Sequence, residues 1–96
     1  MTLRERIDAC LSHGSLSVAD IAFWLDLSYQ TVRSYRQGSE PNDARRQQID
    51  DRLKLLEFAI KHDKQLPVPL SVRKAVRKTY IRGILNRAKK RSGASR

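Results

Sequence analysis

The sequence predicts an all-α fold: a core of three short helices, followed by a long helix and a basic C-terminal helix. Three observations lead there. Apolar residues recur at spacings of three and four along most of the 96 residues. No stretch alternates with period two, so no sheet is expected. Ser, Asp, Gly and Pro fall between the periodic runs, where helices start and stop.

The first helix is expected over residues 3–13, with Leu3, Ile7, Cys10 and Leu11 on one stripe and Gly14 just beyond its end. Cys10 lies on that stripe and reads as a small core residue. Ser15 or Ser17 can cap a second helix, and Asp20, three positions after Ser17, favours the start. Val18, Ile21, Ala22 and Leu25 form its apolar face. Phe23 and Trp24 follow Ala22 directly and cannot both share that face. One or both are expected beneath the fourth helix, the alternative being a patch that faces a partner. Asp26, Leu27 and Ser28 break the pattern, Ser28 can cap a third helix to about residue 37, and Gly38 supplies its stop. Glu40, Pro41, Asn42 and Asp43 read as a turn into the next helix.

The fourth segment, residues 43–62, carries Ile49, Leu53, Leu56 and Ile60 at i, i+4, i+7 and i+11, and Leu55, Phe58 and Ala59 widen that stripe. A helix apolar over more than one face packs on its own domain and on something else. Ile49, Leu53, Leu56, Phe58 and Ile60 are therefore candidates for self-association as well as for the core. In residues 64–71, Pro67 and Pro69 make a stiff connector that is expected to fix where the last helix projects. Ser71 is expected to cap that helix, which runs from 72 to about 90. One face holds Val72, Val76, Tyr80 and Ile84, with Gly83 permitting close approach, and Ile81, Leu85 and Ala88 extend a second strip. The division expected is thus a helical domain over 1–63, the connector 64–71, a basic amphipathic helix over 72–91 and a disordered tail over 92–96.

Charge is unevenly placed. The chain has 20 Lys and Arg against 10 Asp and Glu, a formal net charge of +10. Residues 1–40 sum to −1 and residues 41–65 to +1, so the whole surplus lies in residues 66–96, which hold ten basic side chains and no acid. Surfaces that need only solubility normally intersperse both signs. An acid-free block seeks phosphate and gains affinity by releasing counterions. Its alternatives are a solvated tail or a site for an acidic protein partner.

Several function classes are excluded on inventory. A chain of this length buries only roughly 60–65% of its unfolded surface, which leaves little room to enclose a substrate. No Ser/His/Asp or Cys/His set and no Gly-rich phosphate loop is present, so no catalytic residue is expected. Tyr80 lies among Arg77, Lys78 and Arg82 but shares the spacing of Val76 and Ile84, so a core role is expected for it rather than nucleophilic attack. His13 and His62 are too few and too scattered for a metal site, and no cofactor is expected. The single Cys10 suits a reducing compartment. Apolar runs fall far short of the ~20 residues a membrane span needs, and Met1-Thr2-Leu3-Arg4-Glu5 has no signal-peptide apolar region. The expectation is a cytoplasmic, non-enzymatic, basic protein.

Two short helices joined by a tight turn, the second exposing polar side chains, form a helix-turn-helix arrangement. Its spacing is more specific than its topology. Ala22 is small where the helices cross, the turn follows at Asp26, Leu27 is apolar, and Val32 and Tyr35 continue the inner face. The run 16–38 resembles the helix-turn-helix of the phage repressor/Cro family and is also similar to the homeodomain-like helix-turn-helix of transposases and phage small terminases. Gly38 and Pro41 lean towards the repressors. The resemblance covers roughly residues 3–60 and does not extend to residues 66–96. One departure is Asp26, where the family's turn usually holds glycine. Asp tolerates the left-handed backbone better than most residues.

The resemblance implies sequence-specific binding of double-stranded DNA in the major groove by a bacterial or phage-like transcriptional regulator or repressor, acting as a homodimer. The alternative is an assembly factor such as a small terminase subunit or a transposition accessory protein. The helical wheel of the third helix turns Val32 and Tyr35 inward. Tyr29, Gln30, Arg33, Ser34 and Gln37 are the candidate base readers, Gln suiting adenine and Arg guanine. Candidate phosphate contacts are Ser17 and Ser28 at helix starts, Thr31, Arg36, and Arg73, Lys74, Arg77, Lys78 and Arg82 in the basic block.

Overall fold

A computed structural model of the chain describes residues 2–91; the expectation for the 92–96 tail lies outside them. All regular structure among the described residues is helical: α1 Leu3–Gly14, α2 Val18–Leu25, α3 Tyr29–Arg36, α4 Asp43–His62, a 3-10 turn Lys74–Val76 and α5 Arg77–Arg91.

Each of the first four helices starts on a side-chain cap, which satisfies one of the N–H groups that the helix itself leaves open. Thr2 and Glu5 form a capping box on α1, a start the sequence reading did not assign. Ser17, not Ser15, caps α2: its hydroxyl accepts from Asp20 N–H at 3.2 Å, and its own N–H donates to Asp20 Oδ2 at 2.9 Å. Ser28 and Asn42 cap α3 and α4. Asp26, in the turn between α2 and α3, takes the left-handed conformation at φ 58°. Gly38, at φ 109°, turns the chain out of α3. At the end of α1 the left-handed residue is Ser15. Gly14 stays helical, and its absent side chain serves packing: a Cβ there would sit 2.9 Å from Leu16 Cδ1.

The core joins all five helices. Ile7, Ile21, Trp24, Val32, Leu53, Leu56, Ile81 and Ile84 are its largest fully buried side chains. α1 packs on α2, α3 and α4, while α5 lies across α2 and α4. Trp24 is covered by α4, as the sequence suggested, and its indole N–H donates to the Arg52 carbonyl at 2.8 Å. Arg6 of α1 reaches Asp50 at 2.7 Å and Glu57 at 2.9 Å on α4. Burial pushes the Cys10 thiol up to about 11, as befits a core residue.

The last third departs from the sequence reading in four ways. Residues 66–68 are no bare spacer: Leu66 and Val68 are buried, and Val68 N–H donates to the Gly14 carbonyl at 2.9 Å. Ser71 caps nothing, since residues 69–76 form a turn and the 3-10 turn before α5 begins. Val76 falls within that 3-10 turn and stands exposed, whereas Ile84 and the strip Ile81, Leu85 and Ala88 face the core as expected. Gly83 marks no close approach, because a Cβ there would meet only Arg87 Nη1 at 3.6 Å.

That space makes a prediction. Gly83→Ala removes the backbone-entropy cost of a helix-interior glycine and meets no clash. Urea unfolding should show the variant more stable by about 0.5–1 kcal/mol.

Candidate nucleic-acid interface

The outward face of α3 is polar because its apolar residues point inward. Val32 and Tyr35 are buried, whereas Tyr29, Gln30, Arg33 and Gln37 are exposed. Ser34 and Thr31 are half-buried: Ser34 donates to the Ser39 hydroxyl at 2.9 Å, and the Thr31 and Ser28 hydroxyls lie 2.7 Å apart. At the starts of α2 and α3, the amides of Val18, Ala19, Tyr29 and Gln30 have no protein acceptor among the described residues. Such groups, with the helix dipole behind them, suit an anion. Arg33 makes no ion pair among the described residues.

The candidate phosphate contacts divide. Arg36 is committed within the chain, its Nε bonding Asp8 Oδ1 at 2.8 Å. Arg77 is committed more deeply: Nε donates to Asp20 Oδ2 at 2.6 Å and Nη2 to the Ser15 carbonyl at 2.9 Å. Asp20 is buried, so this guanidinium holds the structure together and is not spare for phosphate. Arg73, Lys74, Lys78 and Arg82 stay exposed and unpaired with any acid among the described residues, and the Arg82 guanidinium lies 5.5 Å from the Phe23 ring centre. Tyr80 is half-buried and donates its hydroxyl proton to the Gln65 carbonyl, the structural role expected of it.

The Arg77 pair also sets the arrangement. It fastens the start of α5 to the start of α2, and the exposed cations at 73, 74 and 78 flank Arg77 along the chain. No spacing rule in the sequence links residues 20 and 77, and the pair was not foreseeable from it.

The proposed self-association stripe needs correction. Ile49, Leu53 and Leu56 are buried against the chain's own helices and offer no surface. Ile60 is half-buried against the same core. Phe58 keeps partial exposure, in an open groove also lined by Leu27, Leu55, Arg45, Arg52 and Lys89. No helix among the described residues is long and apolar enough to cross a membrane, and no group of His, Cys, Asp or Glu among them could hold a metal ion.

No family model, curated protein or solved structure gives a match to this chain.

Removing the pin should be costly. Arg77→Ala leaves Asp20 buried without its cation, and thermal or urea unfolding should record a loss of about 1–3 kcal/mol, against little change for Lys78→Ala one position on.

Proposed function

We propose that the chain is a sequence-specific DNA-binding regulator that reads the major groove with α3. One observation carries this reading: a single small body presents the polar face of α3, the open amides at the start of α2 and, tied to that start through Arg77, an acid-free run of exposed cations. A lone polar helix would suit any surface. The cations on either side of Arg77 add the phosphate contacts that residues 1–40, with a net charge of −1, lack by themselves. In this reading Gln30 and Arg33 contact base edges, with Tyr29 and Gln37 flanking them. Ser17, Ser28, Lys74 and Lys78 hold phosphate. The active form is a homodimer, because one such helix reads only a few base pairs. Of the original stripe, Phe58 is the residue left to support dimer contact.

Selection of bound duplexes from random DNA tests the reading and returns the symmetry of the site. Gln30→Ala and Arg33→Ala should each weaken binding to the selected duplex by about 1–3 kcal/mol while circular dichroism stays unchanged. Lys74→Glu with Lys78→Glu should instead flatten the log–log salt dependence, by about 0.9 for each phosphate that no longer meets a cation. Wild-type affinity in all of these variants would remove α3 and the basic row as the interface.

Sedimentation tests the assembly separately. A dimer at tens of micromolar that Phe58→Ser dissociates is the expected outcome, and a ring would favour the assembly-factor reading.

A further inference from the structure

The segment 69–76 is a loop with both feet on the same spot. At its start Val68 N–H holds the Gly14 carbonyl at 2.9 Å, and at its end Arg77 holds the Ser15 carbonyl at 2.9 Å and Asp20 at 2.6 Å. Its two ends are therefore held at the turn between α1 and α2 and at the start of α2, an attachment settled by folding before any ligand arrives. Its composition is unusual for a strap. Leu70 is fully exposed, Val76 is 52% exposed, and Arg73 and Lys74 are exposed with no acid in the loop. The exposed large apolar side chains among the described residues are Tyr29, Leu70 and Val76. One begins α3, and the other two lie in this loop.

We propose that this loop is a second DNA contact, entering the minor groove next to the major-groove segment read by α3; the inference rests on that reading of α3. The start of α2 meets the phosphate strand bordering the major groove when α3 lies within it. Across that strand is a minor groove, which in this arrangement a loop tethered at the start of α2 enters. A narrow minor groove concentrates negative potential and draws Arg and Lys, while an apolar side chain such as Leu wedges between base steps and bends the duplex. Leu70 is the wedge, and Arg73 and Lys74 hold the flanking phosphates. One leucine and one valine supply too little apolar area to anchor the chain on a lipid surface.

Hydroxyl-radical footprinting, which reads sugars exposed in the minor groove, tests this with the full chain on a duplex it has selected from random DNA. A circularly permuted gel-shift series on the same duplex reads the bend. Leu70 touches no core, so Leu70→Ser keeps the fold, with circular dichroism as the check. Wild type should protect minor-groove sugars beside the α3 site and bend the duplex by roughly 20–90°. Leu70→Ser should lose the flanking protection and the bend but keep the central footprint, which Arg33→Ala should weaken. A wild-type footprint and bend in Leu70→Ser would overturn the loop's role and leave the α3 reading standing. Failure of the wild-type chain to bind any duplex, with Leu70-dependent binding to phosphatidylserine vesicles instead, would overturn both.

Discussion

The placement of the whole basic third depends on one buried carboxylate. Asp20 does two jobs at once: it accepts a hydrogen bond from the Ser17 amide that opens α2, and it receives the Arg77 guanidinium that opens α5. Each job alone is ordinary. Together they weld the start of one helix to the start of another 57 positions later. Removing Arg77 leaves the buried Asp20 carboxylate without its cation, which costs more than the bond itself contributes. The apolar contacts of Ile81, Ile84, Leu85 and Ala88 then hold α5 along α2 and α4.

The same pairing of charges explains how a surface of one sign arises. Acids are concentrated in the body, and many are used to tie helices to one another: Asp50 and Glu57 take Arg6, Asp8 takes Arg36, and Asp63 takes Arg87. Burial pushes the Asp63 carboxyl up, but the Arg87 guanidinium and the Gln65 amide outweigh it and hold it below its ordinary value. Arg6 and then Lys54 do the same for Asp50. Depressed carboxylates stabilise the fold above their unfolded values, so this contribution fades as pH falls through the acid range. With these acids turned to internal use, Arg73, Lys74, Lys78 and Arg82 are left without an acidic partner among the described residues.

Much of the helical architecture was legible because it obeys local rules. The Ser17, Ser28 and Gly38 signals, the left-handed Asp26 and the burial of Val32 with Tyr35 all follow from neighbours within a few positions. The last third was read less well for the same reason. A 3-10 turn of three residues replaced the expected first turn of the last helix and left Val76 exposed. The breadth of the α4 stripe was real, but its second face is filled by α5, a partner within the same chain. Arg36 and Arg77 looked like phosphate ligands because spacing along a helix does not reveal an acid in a distant segment. Which outward side chains of α3 would touch a base is a matter of chemistry at the surface, to which folding leaves little trace.

The single tryptophan sits where it can report on all this. Trp24 is 1% exposed, with its indole N–H on the Arg52 carbonyl, so its ring is shielded at the seam between α2 and α4. Its fluorescence is a built-in gauge of that seam: emission shifts to longer wavelength as water reaches the ring on unfolding. Because the ring is sealed inside the body while the polar side of α3 is on its surface, the same signal stays silent to ligands on that side. That silence separates loss of structure from loss of binding in any altered chain.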